Sequence, residues 1–145
     1  MIKGTKKYIF LVIYVFIMLY ELLGSDWRIK NSVKSYNLIP FSTISRYFKY
    51  TKGLFSATFC INILGNIAFF IPLGFLLPVC FKKIDKYYLT IPISIGIVLL
   101  LETTQYFLAV GVFDIDDIIL NTIGITIGYL IYIFSTKKNK RSMKI

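Results

Sequence analysis

Apolar residues fall into four blocks along this chain, at about 8–23, 58–81, 87–110 and 118–134. None alternates with a period of two, so none reads as a half-buried strand. A helix needs about 17–25 mostly apolar residues to cross a hydrocarbon core. The second and third blocks clear that length, and the first and fourth meet it with little tilt. Soluble core helices are shorter, at about 10–14 residues, and four such blocks leave too little polar surface for a soluble domain. The pattern predicts an all-α integral membrane bundle of four transmembrane helices, a single domain over residues 1–145. A long loop on the outer side separates helices 1 and 2.

Three features inside the blocks are architectural. Pro72 is predicted to kink the second helix by freeing the carbonyl four residues back, and Pro78 to end it. Gly124 and Gly128 make a small-x-x-x-small face on the fourth helix that admits another helix closely. Cys60 and Cys80 lie twenty residues apart on one helix, about 30 Å along its axis, too far for a disulfide. The basic start and apolar first block also suit a signal peptide. Leu22-Leu23-Gly24-Ser25 lacks a small-x-small cleavage pattern, so an uncleaved first helix is expected.

Charge decides orientation. Seventeen Lys+Arg stand against seven Asp+Glu, a net charge of +10. With alternating crossings, one side receives Lys3, Lys6, Lys7, Lys82, Lys83, Lys86 and the tail Lys137, Lys138, Lys140, Arg141 and Lys144. The other receives only Arg28, Lys30, Lys34, Arg46, Lys49 and Lys52, all in the long loop. The positive-inside rule then puts both termini in the cytoplasm. Trp27, Tyr36, Tyr47 and Tyr50 suit a loop segment lying in the headgroup layer. Hydrophobic residues are 57% of the chain, which excludes a disordered basic tail, and a basic balance alone does not make a nucleic-acid-binding domain. The chain has no histidine, so schemes needing imidazole as base, nucleophile or metal ligand are excluded.

Polar groups inside a membrane are costly and mark functional sites by default. Glu21 falls near the outer end of the first helix. Asn62 and Asn66 lie one turn apart in the outer third of the second. Glu102 and Gln105 occupy the last two turns of the third, and Asn121 follows Asp117 by one turn in the fourth. The loop before that helix supplies Asp114, Asp116 and Asp117. The strong polar groups of all four helices therefore collect at one depth, toward the outer leaflet. Bland roles stand beside this reading: Asp116 or Asp117 as a helix cap, Asn62 and Asn66 as interhelical glue, and Glu21 reaching to the interface. Glu102 needs a partner, because a lone buried carboxylate is expensive.

The motifs NLIPF (Asn37 to Phe41), NILGNIAFFIPLGFLLP (Asn62 to Pro78), ETTQ (Glu102 to Gln105) and FDIDDIILNTIGITIGY (Phe113 to Tyr129) together resemble the VanZ-like family of bacterial membrane proteins. The resemblance covers about residues 37–135, with order and spacing kept. It implies that Asn66, Pro72, Gly74, Glu102, Gln105, Asp114, Asp117, Asn121 and Gly124 occupy signature positions. It also implies a link to teicoplanin resistance and the cell envelope, without an established molecular activity. Many members carry an Arg shortly before the Phe-Asp of the last motif. Ala109-Val110-Gly111-Val112 has none, so a basic residue of the long loop substitutes or the site differs.

The first functional reading is a non-enzymatic envelope factor. Asn62, Asn66, Glu102, Gln105, Asp114, Asp117 and Asn121 would form its outer-leaflet ligand site, with Pro72, Gly74, Gly124 and Gly128 structural. The ligand would be a lipid headgroup or part of a lipid-linked cell-wall precursor. No cofactor, metal or nucleic acid is expected; the lipid bilayer is the constant partner, and a homo-oligomer is allowed. The alternatives are a membrane enzyme using carboxylates and a divalent cation on a lipid-linked substrate, and a structural subunit of a membrane complex. A transporter is disfavoured because the two halves share no inverted repeat.

Overall fold

A computed structural model describes residues 4–24, 34–50 and 57–142. Trp27, Arg28, Lys30 and Lys52 of the long loop lie outside the described residues, as do Asp26, Lys3 and Lys144. Each apolar block forms a helix. The first is α1, Lys6–Gly24. The second is a continuous helical stretch over 57–80: a single turn α3 (Ala57–Phe59), a π-helical turn Cys60–Leu64, and α4 (Gly65–Cys80). The third is α5 (Tyr87–Leu108) and the fourth α6 (Ile115–Ser142). Among the described residues, three helices are long and apolar enough to cross a membrane: Cys60–Cys80, Tyr87–Leu108 and Ile115–Lys137.

The boundaries differ from the sequence expectation in instructive ways. α4 runs through both prolines and ends at Cys80, two residues past Pro78. Each proline removes one rung of the ladder, which a packed helix tolerates when its neighbours hold it. α5 stops at Leu108 because Ala109 adopts a left-handed backbone (φ 54°), with its N–H turned back onto the last carbonyls.

α4 is the hub on which α1, α5 and α6 pack. α1 presents Leu11, Tyr14 and Met18, spaced three and four apart, to the core while its other apolar residues face outward. It runs antiparallel to α4. At one end Lys7 Nζ donates to the carbonyls of Val79 and Cys80, both at 3.2 Å, where a cation meets the terminal acceptors of a helix C-terminus. Midway, Tyr14 Oη donates to the Phe69 carbonyl at 2.9 Å.

The α4–α6 seam is closer still. A Cβ on Gly74 would stand 2.0 Å from the Ile125 carbonyl oxygen, one on Gly124 2.1 Å from that of Ile67, and one on Gly128 2.0 Å from that of Ile71. Only hydrogen fits at these three positions, so the two backbones touch and dispersion contacts accumulate along both helices. The long loop also carries structure that apolar pattern alone does not announce. Strand β1 (Ser35–Asn37) pairs in parallel with β2 (Val112–Asp114), in the register Ser35–Val112, Tyr36–Phe113, Asn37–Asp114. A short helix α2 (Ser42–Tyr50) follows.

Candidate functional site

Antiparallel packing brings four helix ends together. The C-terminal part of α1, the start of α4, the last turns of α5 and the start of α6 surround one cavity of about 370 Å³. Glu21, Asn66, Glu102, Gln105, Asp117 and Asn121 supply its polar wall, and Met18, Phe69, Phe70 and Leu101 its apolar wall. Gly65, directly after the π-helical turn, also lines the cavity, and a Cβ there would meet nothing within 4 Å. The lining holds three carboxylates and, among the described residues, no Lys or Arg.

The polar wall is only partly satisfied from within. Asn66 Nδ2 donates to Asp117 Oδ1 at 2.7 Å, tying α4 to α6. Glu102 (6% exposed) and Asn121 (3% exposed) are buried. Among the described residues, neither Glu102 Oε2 nor Asn121 Oδ1 has a hydrogen-bond partner. Most buried polar atoms are paired, since leaving one bare costs about 1–3 kcal/mol. Glu102 and Asn121 both line the cavity, but these two oxygens are themselves buried rather than open to it. No Ser, Thr or Cys side chain lines it. No three of the described Cys, Asp and Glu side chains approach in a metal-holding group.

The three aspartates at the start of α6 have three separate destinations. Asp114 is the N-cap of α6, its Oδ1 accepting the Asp116 N–H at 2.9 Å. Its carboxylate also accepts from Thr43 Oγ1 at 2.6 Å and from Asn37 Nδ2 at 3.2 and 3.3 Å. Asp116, fully buried, turns the other way and accepts the backbone N–H groups of Phe41, Thr43 (2.8 Å) and Ile44 (3.1 Å). Those are the free donors at the start of α2, so Asp116 caps α2 from across the fold. The clasp holds Phe41 in a left-handed backbone, φ 64°, a conformation that a bulky residue keeps only when its surroundings over-determine it. Asp117 alone of the three faces the cavity.

Of the sequence-predicted ligand residues, Asn66, Glu102, Gln105, Asp117 and Asn121 thus share one cavity. Asp114 belongs to the clasp, and Asn62 sits in the π-helical turn outside the lining. Arg46, a candidate replacement for the missing family Arg, is exposed on α2.

The cavity and the clasp lie within the stretch, residues 8–136, that matches the sequence profile of the VanZ/LLP1 family. The chain belongs to the VanZ/LLP1 family. Protein VanZ of Enterococcus faecium is 29% identical to it over 133 residues, which is 89% of this chain and 72% of that protein. No solved structure matches. With three helices of membrane-crossing length, this VanZ/LLP1 chain is a membrane protein. Within it, sequence reasoning passed over Asp116 as more than a local cap, Thr43 altogether, and the apolar wall. The tightest clue was the NLIPF motif itself. A conformationally awkward Pro-Phe before a polar helix start needs something outside the loop to hold it.

Proposed function

We propose that this VanZ/LLP1 chain crosses a bacterial plasma membrane four times with both termini in the cytoplasm. In this reading its cavity opens toward the outer leaflet and binds the polar head of an envelope amphiphile without transforming it. The observation that carries the reading is the gathering of Asn66, Glu102, Gln105, Asp117 and Asn121 from three helices around one cavity of about 370 Å³. α1 supplies the fourth crossing: it has 19 residues and lies antiparallel to α4. Lys7, Lys82 and Lys86 sit at the end opposite the cavity, which supports a cytoplasmic face there. A half-polar, half-apolar pocket at membrane depth suits a headgroup with the first atoms of its tail, from a phospholipid or a lipid-linked wall precursor.

No Ser, Thr or Cys side chain lines the cavity, which favours binding over group transfer through a hydroxyl or thiol nucleophile. Family membership supports a link to teicoplanin resistance, since glycopeptides act outside the membrane on wall precursors. The test is complementation in a teicoplanin-susceptible bacterium. Wild type should raise the teicoplanin concentration the cells tolerate, while Glu102→Gln and Asn121→Leu, present in the membrane at equal level, should not. Full protection by both variants would overturn the proposal.

A further inference from the structure

We propose that the end of the molecule opposite the cavity is a docking surface for acidic phospholipid headgroups, held by lysines from α1, the α4–α5 turn and α6. This surface lies beyond the binding function of the cavity and does not depend on what the cavity holds.

Three segments meet at this end. Lys6 and Lys7 open α1, Lys82, Lys83 and Lys86 lie in the turn between α4 and α5, and Lys137 closes the membrane-crossing part of α6. Side chains tie these segments together. Lys7 Nζ holds the last carbonyls of α4, and the Tyr8 ring meets the Phe81 ring edge-on at 6.5 Å. Lys82 Nζ donates to Tyr132 Oη at 3.1 Å, and Tyr129 Oη donates to the Asp85 carbonyl at 3.1 Å. Lys137 follows Tyr132 on α6 by about 7.5 Å along the axis. The lysines thus belong to one patch rather than to three separate flanks.

That patch carries charge that the protein does not answer. Among the described residues, Asp85 is the one acid of this end, and its carboxylate already accepts from Tyr132 Oη at 3.3 Å. Six lysines against one aspartate leave a net charge of +5. Lys6, Lys82, Lys83, Lys86 and Lys137 are exposed, and Lys7 is half-buried. An ammonium has three N–H donors. Lys7 commits two to carbonyls and Lys82 one to Tyr132, so each keeps a free donor on a side chain already held in place. A side chain held beforehand loses less entropy when a phosphate arrives.

Aromatic rings set the depth and thereby the partner. Tyr8, Phe81, Tyr87 and Tyr88 are exposed at the same helix ends, the arrangement that places rings at the headgroup level of a bilayer. Lys7 Nζ lies 4.7 Å from the Tyr8 ring and Lys86 Nζ 5.7 Å from the Tyr88 ring, so the ammonium groups share that level. A lipid phosphate sits there too, whereas a soluble polyanion such as a nucleic acid reaches only the outermost lysines. A choline lipid brings its own cation to a patch that already repels itself. An acidic lipid brings phosphate without one, and relieves the repulsion.

The experiment uses the full chain, reconstituted in equal parts of phosphatidylglycerol and phosphatidylcholine. After gentle extraction into a non-ionic detergent, mass spectrometry counts the lipids the protein keeps. Phosphatidylglycerol should be retained about tenfold over phosphatidylcholine, and a wash in about 1 M salt should remove most of that preference. Lys6→Gln with Lys83→Gln, both exposed, should lower the preference at least about threefold. Arg46→Gln with Lys49→Gln removes the same charge from α2, near the cavity end, and should leave it unchanged. Should a variant misfold, wild type and its salt wash still decide. Equal retention of the two lipids by wild type overturns the proposal. So does an equal loss in both double variants, which would make net charge rather than this patch the cause. Binding of a fluorescent oligonucleotide to the protein in pure phosphatidylcholine, without any lipid preference, would also overturn it, in favour of a soluble polyanion.

Discussion

The α4–α6 seam makes the most quantitative prediction. Adding one methyl group at Gly74 or Gly128 puts carbon 2.0 Å from a backbone carbonyl oxygen on the facing helix. Backbone on both sides cannot swing away as a side-chain tip can. To relieve the clash the helices must part by about 1 Å, a gap that already forfeits a quarter to a half of each dispersion contact it opens. Overpacking of this kind costs about 1–3 kcal/mol or more, while Ala regains about 1 kcal/mol over Gly in helix propensity. We expect Gly74→Ala and Gly128→Ala each to lose up to about 2 kcal/mol net. Gly65→Ala is the internal control: it lies in the same helix, meets nothing within 4 Å, and should gain up to about 1 kcal/mol. Reversible unfolding in mixed micelles with increasing dodecyl sulfate measures all three. The seam also sets the site, because Ile67, which faces Gly124, follows Asn66, whose amide reaches Asp117 at 2.7 Å. Widening should therefore loosen the cavity wall as well as the fold. Equal midpoints for all three variants would refute a backbone-to-backbone seam.

Two further outcomes are checkable without a ligand. Asp116→Asn keeps the shape but replaces one acceptor oxygen with an NH₂ facing backbone donors. Losing about 3 kcal/mol of charge-assisted bonding there should raise amide exchange at Phe41, Thr43 and Ile44 on the order of 100-fold, with little change in the middle of α4; unchanged exchange would deny the clasp its role. A fluorescent-protein reporter fused after Ile145 should glow, and an alkaline-phosphatase reporter there should stay inactive, if the C-terminus is cytoplasmic; the reverse pair of results would invert the orientation and the side on which the cavity opens.

Much of this arrangement is legible in one dimension because a bilayer simplifies the problem. An apolar run of sufficient length must satisfy its backbone internally, so it is a helix, and its ends follow from where apolar residues give way to Lys, Asp or Gly. Alternating direction then converts position along each helix into depth. That is why Glu21, Asn66, Glu102, Gln105, Asp117 and Asn121, spread over a hundred residues, can be assigned one level from their positions in the chain alone. The same logic reads Gly124 and Gly128 as a surface for close approach.

Depth is not direction, and direction is what tertiary structure decided. Asp114, Asp116 and Asp117 are chemically alike and nearly adjacent, yet about 100° of rotation per helical residue sends them to a cap, a distant helix and the cavity respectively. Which acid goes where depends on where α2 docks, and α2 docks through a three-residue parallel ladder whose partners lie 77 positions apart. Strands that short carry no periodicity, and the left-handed Phe41 is tolerated only once Asp116 holds it. The identity of the facing helix at Gly74, and hence the bare state of Glu102 and Asn121, likewise emerges only when four helices have chosen their rotations. Helices, their order and the level of the polar groups follow from one dimension, because burial in lipid acts on each segment alone. Which oxygens are paired and which stay bare follows from the fold, because hydrogen bonds form between segments.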